Sequence, residues 1–544
     1  MELFQSEQFG KHVEELLEKW HVPGLAIAIT NAVGDVQAKA FGYATFNKEN
    51  DPEAEMTMDH IFDMASCSKS LTAAAVAKLI ADSEASDQPI EWTTPVQSLL
   101  PDDFVLPDAT ATALVTIEDI LSHRSGMPDH SNSYLGIHAA TPDTPRSITR
   151  NLRNLSMTAP LRSKFQYSND MYIVATHLIE TLSSQSFGEF LQHNILDVLG
   201  MTSTFLQPSA VKAARQEHRL AKPYIWDDDT ESYRELPLAE QPEAQGAGSI
   251  QSTVLDYAKW AQALLKQDER LFSAETYAEL CKPRILMNPE DNEEDLAPFT
   301  SHDSYALGLA VSWYRGHRIV QHDGSIFGYG AKLLFMPAHD FGLVICANTD
   351  GDVSNEVAEI LAMELVDEVL GVPQLADGEQ QEQSSKTGHG TVPGPTSGRV
   401  DWAKLKWEEA QEEPGDEEKR EEIVHDLSLR GLQPLTLPLT AYVGTYHNVG
   451  YHEIRVDIVE SRLDANLYDR SDPFQLYFEH VCENTDFVVK QVFAIGGGEY
   501  LKASFQVGEN DVVEAMGIDL VEEMEGNLVW FERAESSGEE KEVH

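Results

Sequence analysis

Ser66 and Lys69 stand three residues apart in the stretch DMASCSKSLTAAAVAKLI, residues 63–80, which runs from a cluster of hydroxyls into an apolar helical pattern. On a helix, positions three apart share a face. The Lys69 amine therefore reaches the Ser66 hydroxyl, whereas Ser68 and Ser70 lie at offsets that suit helix-surface or packing roles. A desolvated amine can take a hydroxyl proton, and a cation beside the oxygen stabilises the alkoxide. A serine in the first helical turn also gains a free backbone N–H and the positive end of the helix dipole. The same letters describe a serine cap on an ordinary core helix, so the chemistry depends on partners elsewhere in the chain.

Two further groups supply them. FQYSNDMY contains Tyr167 and Asn169, a Y-x-N. A tyrosinate or hydrogen-bonded phenol is a suitable second proton carrier, and the asparagine amide can hold a substrate carbonyl together with the lysine. In IVQHDGSIFGYGAKLLFMP, His322, Asp323 and Gly324 end a strand, and the glycine allows a substrate to approach the backbone. The N–H of Ser325 can join that of Ser66 in an oxyanion hole. A literal K-T-G, Lys386-Thr387-Gly388, lies among Ser, Gly, His and Pro. A catalytic strand motif needs a rigid element, so this match is set aside as chance.

The elements that must position these groups read as follows. Residues 24–30 (GLAIAIT) and 36–43 are neighbouring strands, and 69–82 is a helix. Helical patterns dominate from 115 to 270, strand texture returns over 304–348, and 353–370 is a long helix. Strands from both ends with helices between predict one sheet flanked by a helical lobe. Residues 373–400 form a low-complexity linker and 401–425 one charged helix. From 436 onward, eight short strands at close spacing predict a small antiparallel barrel or curved sheet. The domain expectation is 1–372, a linker at 373–435, a barrel at 436–534 and an acidic tail at 535–544.

The 544 residues carry a net charge of -52, from 39 basic and 91 acidic side chains. Such a surface repels nucleic acid and anionic membranes. The four cysteines, Cys67, Cys281, Cys346 and Cys482, are scattered and suggest neither a disulfide framework nor a zinc site. The N-terminal MELFQSEQFGKHVEELLEKW places acids where a secretion signal needs a basic region, and reads instead as an amphipathic helix. No run of about 18 apolar residues occurs. These features predict a cytoplasmic protein that acts without metal or cofactor. Its expected partner is a small molecule or short peptide, with no nucleic acid and no membrane. Oligomeric state is not legible.

Taken together, Ser66-x-x-Lys69, Tyr167-x-Asn169 and His322-x-Gly324 resemble the three motifs of the penicillin-recognising serine hydrolases, that is, the serine β-lactamases and penicillin-binding proteins. The similar branch holds class C β-lactamases, DD-carboxypeptidases, D-aminopeptidases and related esterases. HVPGLAIAI, IEDILSHRSGMPDH and QGAGSIQSTVLDYAKWAQALL fall in the family's order, so the resemblance covers about residues 10–370. It implies an α/β fold, an antiparallel sheet flanked by helices with an all-helical lobe. It also implies catalytic roles for Ser66, Lys69 and Tyr167, and substrate or oxyanion roles for Asn169, His322, Gly324 and Ser325. One departure matters: class C β-lactamases carry lysine where this chain has His322. Histidine gives a weaker, pH-dependent positive field, and Asp323 beside it reduces that field further. The expected substrate is then an amide, peptide or ester, cleaved through an acyl-enzyme, with Tyr167 and His322 returning a proton to the leaving group. An acyltransferase using the same site, and a non-catalytic binding protein on the scaffold, are the alternatives. YVGTYHNVGYHEIRV resembles the lipocalin-like barrel appended to several such peptidases, which packs near the active-site mouth in those relatives. Cys67 should point away from the site, His123 and His130 read as loop or packing residues, and Tyr329 and Trp313 are candidates for the pocket wall. Loops 130–160, 220–245 and 284–303 should shape the pocket.

Overall fold

The structure is a computed structural model; it describes residues 2–46, 54–228, 230–289, 292, 296–373, 398–412, 414–429 and 433–534. Lys386-Thr387-Gly388 and the tail 535–544 lie outside the described residues.

An eight-stranded antiparallel sheet forms the centre, in the order Gln37–Gly42, Gly24–Thr30, Phe341–Ala347, Tyr329–Met336, His317–Ile326, Ala310–Tyr314, Ser304–Tyr305, Ile285–Leu286. Strands from the two ends of the region thus lie side by side, with Leu25 opposite Ala347 and Thr30 opposite Gly342. The period-2 alternation of strand side chains divides the central strands between two cores. Leu25, Ile27 and Ile29 face a core with Leu343, Ile345 and the helices Glu7–Lys19 and Gly351–Val369. Ala26, Ala28, Val344 and Cys346 face the larger core of the helical lobe. The amphipathic N-terminal helix is present: Ser6 accepts from the Phe9 N–H, and Phe9, Val13, Leu16 and Leu17 are buried.

The helix Ser68–Ser83 is apolar or small on nearly every face and runs through the core beside Asn169–Ser183 and Val254–Lys266. Gly308, at φ 68°, passes so close to it that an added Cβ would stand 2.5 Å from the Lys69 carbonyl oxygen. Within the strand texture read over 304–348, residues 304–314 are a hairpin rather than one strand: Ser304–Tyr305 pairs antiparallel with Ala310–Tyr314, and the chain reverses through a turn in which the Ala306 N–H donates to the Leu309 carbonyl at 2.7 Å.

Three expectations need correction. The charged segment 401–425 is two helices, Trp402–Glu412 and Asp416–Ser428. Pro414 has no N–H for a helix interior and ends the first. Trp402 is buried with its ring 5.8 Å from that of Tyr314, so the first helix is not merely a solvated one. Within the helical lobe, Phe62–Asp63, Ile250–Ser252 and Phe205–Leu206 form a small sheet, and Tyr224–Asp227 pairs with Ser232–Glu235 as a hairpin. Strands of two to four residues are too short to leave a period-2 signal.

The C-terminal strands, from Gly444–Asn448 to Val529–Arg533, close into an eight-stranded antiparallel barrel. Aromatic rings fill its interior; Phe505 meets Tyr442 at 4.9 Å and Phe487 at 5.2 Å between centroids. The barrel docks on the sheet-and-helix region that precedes it. Leu135 bridges to Arg470, the Tyr451 hydroxyl lies 2.6 Å from His130 Nδ1, and Asn151 Nδ2 donates to the Gly450 carbonyl at 2.8 Å.

Candidate active site

The strand Phe62–Asp63 turns through Met64 into a 3-10 turn, Ala65–Cys67, that leads directly into the helix Ser68–Ser83. Ala65 takes the left-handed φ of 43°, which is uncommon for a residue with a side chain. Buried Asp63 holds it, with Oδ1 accepting from the Ala65 N–H at 2.7 Å and Oδ2 accepting from Gln251 at 2.6 Å. Burial raises the Asp63 carboxyl to about 6. From Ile61 to Ala77 every residue is buried except Ser66. The turn therefore presents one hydroxyl to the outside.

Lys69 is fully buried. Its Nζ donates to Ser66 Oγ at 3.0 Å, to Asn169 Oδ1 at 2.8 Å and to the Ala247 carbonyl at 2.7 Å. Desolvation lowers its pKa to about 7, with nearby Asp129 opposing the shift. Asn169 begins the helix Asn169–Ser183, and its backbone N–H donates to Asp129 Oδ1 at 2.9 Å. Tyr167 shares a cavity wall with Ser66, and its ring centroid lies 4.7 Å from the Lys69 amine. Burial holds its hydroxyl above the usual phenol range, against the opposing pull of Ser66. Of the two forms considered for Tyr167, the phenol is the one present at neutral pH. The buried amine, lowered to about 7, is the one of the two groups that can lose its proton near neutral pH.

Strand His317–Ile326 supplies the third side. Gly324 passes so close to the turn that carries Ser66 that an added Cβ would be 2.4 Å from the Met64 carbonyl oxygen. The Cys67 thiol points away from the site, as expected, and donates to the His322 carbonyl at 3.1 Å. His322 differs from expectation. Its Nδ1 lies 2.6 Å from the Asp323 carbonyl and its Nε2 2.7 Å from the Tyr305 hydroxyl, so both nitrogens are occupied. Burial first, then the Lys69 charge, push its pKa down to about 3. It supplies no positive field at neutral pH. It bonds to Tyr305 rather than to Tyr167, whose ring centroid is 6.5 Å away, so the two groups expected to return the leaving-group proton are not hydrogen-bonded to each other. The Asp323 carboxylate pairs with Lys332 at 2.6 Å, which offsets its charge.

Two cavities meet at Ser66, Asn169 and Ser325. One, of about 390 Å³, is walled by Tyr167, Tyr305, His322, Asp303, Met287 and Asn355. The other, of about 330 Å³, is walled by Tyr134, Gln241, Gly248, Phe327 and, from the barrel, Ser471 and Asp472. Gln241 Nε2 donates to Asp472 Oδ1 at 2.6 Å, joining barrel to catalytic region at the cavity wall.

Residues 9–367 match the family described as Beta-lactamase, and residues 432–533 match one described as Domain of unknown function (DUF3471). The chain belongs to the Beta-lactamase family. It is 32% identical to the unguisins hydrolase ungD' of Aspergillus campestris, over 97% of this chain and 92% of that protein. It is 24% identical to penicillin-binding protein 4* of Bacillus subtilis, over 65% of this chain and 75% of that one. Among solved structures, the octameric penicillin-binding protein homologue from Pyrococcus abyssi has a similar fold, with a TM-score of 0.55 at 20% identity, covering 94% of this chain and 97% of that one.

In this Beta-lactamase family member, all seven residues singled out from the sequence, Ser66, Lys69, Tyr167, Asn169, His322, Gly324 and Ser325, converge on one neighbourhood. Ser68 accepts from the Ile250 N–H, and Ser70 accepts from the Trp260 indole at 3.0 Å, so both are packing residues. Tyr329 and Trp313 line neither cavity at Ser66; Tyr329 is buried and donates to the Ala221 carbonyl, while Trp313 is partly exposed elsewhere on the sheet. The three loops expected to shape the pocket do so through Ser131 and Tyr134, Gln241 and Ala244, and Met287 and Asp303. Sequence reasoning missed Asp63, Asp129, Tyr305 and the barrel pair Ser471 and Asp472. Asp63 adjoins the nucleophile turn and had a local signal. The barrel residues had none, because only long-range docking brings them to Ser66. Among the described residues no helix is long and apolar enough to cross a membrane.

Proposed function

We propose that this chain is a serine hydrolase that cleaves amide, peptide or ester bonds through an acyl-enzyme on Ser66. The observation that carries the reading is a fully buried amine, lowered to about 7, whose Nζ stands 3.0 Å from Ser66 Oγ. Ser66 Oγ attacks the carbonyl as its proton passes to Lys69. The N–H groups of Ser66 and Ser325 receive the oxyanion. Asn169, whose Oδ1 is held by Lys69, orients the substrate amide through its NH₂. Tyr167 retains its proton until the leaving group needs it, then recovers one from Lys69. Water repeats the sequence in reverse and frees Ser66.

The charged side chains on the walls of the two cavities are acids: Asp303 and Asp323 in one, Asp350, Asp352 and Asp472 in the other. With His322 neutral, no fixed cation among the described residues of the two cavity walls receives a substrate carboxylate. This supports neutral or cationic amides and esters over β-lactams and free C-terminal peptides. The hydrolase names of the relatives at 32% identity support water as the acceptor. The test is a panel of p-nitrophenyl esters, D- and L-aminoacyl anilides and nitrocefin, run with and without an added amine acceptor on wild type and Ser66→Ala. Turnover of an ester or anilide that Ser66→Ala abolishes supports the reading; turnover that survives it refutes the reading. Product found mainly on the amine would make acyl transfer the activity.

A further inference from the structure

His123 was read from the sequence as a loop or packing residue, but it holds the Tyr167 segment from both sides. Its carbonyl accepts from the Gln166 N–H at 2.9 Å, and its Nδ1 accepts from the Ser168 N–H at 3.0 Å. Its ring stacks on the intervening Tyr167 ring, 4.2 Å between centroids and 27° between planes. The same ring meets Tyr305 at 4.7 Å and 64°, and the Tyr305 hydroxyl is the one bonded to His322 Nε2. His123 is fully buried.

We propose that His123 is the positioning residue of this site, fixing the Tyr167 phenol against Ser66 and, through Tyr305, joining the Y-x-N turn to the H-x-G strand. The inference rests on the hydrolase reading above and names what keeps its proton carrier in place. Because Nδ1 accepts a backbone N–H, the proton of the neutral imidazole sits on Nε2. That nitrogen is buried and has no hydrogen-bond partner. An N–H left unpaired in the core is a cost that ring packing alone does not explain. What imidazole adds is an aromatic face for Tyr167 together with an acceptor in the ring edge for Ser168. No other side chain bonds to the Ser168 N–H among the described residues. Tyr167 has one rotatable ring to place against Ser66, and a misplacement near 1 Å costs roughly 10²-fold in rate.

The test compares His123→Phe, which keeps a ring and loses the acceptor, with His123→Asn, which does the reverse. For each, Ser66 labelling by a fluorophosphonate and steady-state ester turnover are measured. Both variants should slow labelling and lower kcat by roughly 10²-fold, with KM changed by less than about 3-fold. In a Tyr167→Phe background the same substitutions should cost less than about 3-fold, because the group they position is already gone. Wild-type rates in the single variants, or losses that simply multiply with that of Tyr167→Phe, would overturn the proposal. Should the variants fail to fold, ¹⁵N-histidine spectra of the wild-type protein decide. A neutral, Nε2-protonated His123 that does not titrate between about pH 5 and 9 supports the proposal; a titrating or Nδ1-protonated ring overturns it. Failure of the hydrolase reading looks different: wild type would then resist labelling at Ser66, or its turnover would survive Ser66→Ala.

Discussion

Gly324→Ala would place a methyl group 2.4 Å from the Met64 carbonyl oxygen and 3.2 Å from the Ala65 Cβ, where contacts under 3.0 Å essentially never occur. The obstacle is backbone, so no rotamer change relieves it. Strand and turn must part by at least about 0.6 Å, the shortfall from 2.4 to 3.0 Å. Met64 and Ala65 immediately precede Ser66, whose Oγ lies 3.0 Å from the Lys69 amine and which shares the walls of both cavities with Ser325. The displacement therefore falls on the nucleophile and on both proposed oxyanion donors. A shift of this size costs roughly 10²-fold in kcat/KM, or roughly 3 kcal/mol of transition-state stabilisation. Overpacking should lower global stability by about 1–3 kcal/mol. Ester turnover and urea denaturation of the purified variant measure the two effects separately. A variant within about 3-fold of wild type in kcat/KM, at unchanged stability, would refute the claim that the strand is pressed against the nucleophile turn.

Three more outcomes follow from the same geometry. The kcat/KM profile should rise with pH, with its midpoint near 7 as Lys69 loses its proton, and no second step from His322 should appear above pH 4 because its pKa is about 3. A flat profile from pH 5 to 9 would contradict the assignment of Lys69 as base. Because Lys69 is lowered from 10.5 to about 7 on folding, the unfolded chain binds the extra proton between those values, so wild-type stability should gain on that of Lys69→Met as pH rises through this window. Paired denaturation curves at pH 7 and 9.5 check the sign. Tyr451→Phe removes the hydroxyl 2.6 Å from His130 Nδ1 and should cost about 1 kcal/mol of barrel docking. Limited proteolysis should release the barrel sooner in that variant, and unchanged release would count against the contact.

The site was legible where local spacing determines geometry. Ser66 and Lys69 meet because they lie on one helical face; Gly324 was singled out as room for a substrate, whereas what passes there is the chain's own Met64–Ala65 backbone. The short apolar run GLAIAIT exposed the central strand, and close strand spacing exposed the barrel. What stayed hidden depends on contacts between distant segments. The neutrality of His322 comes from burial and from the Lys69 charge, 253 positions away in the chain, and no local pattern carries that. The break at Pro414 was readable, yet the acidic composition of 401–425 obscured it. The barrel's Ser471 and Asp472 reach the cavity only because Leu135 and His130 receive the barrel edge and Tyr451.

The most direct measurement is intact-mass analysis of the protein after reaction with a fluorophosphonate, followed by peptide mapping, at pH 6 and pH 8. One adduct per chain on Ser66, forming faster at pH 8 and absent in both Ser66→Ala and Lys69→Met, is the predicted result. An adduct on any other residue, or labelling of Ser66 that is indifferent to Lys69, would contradict the account.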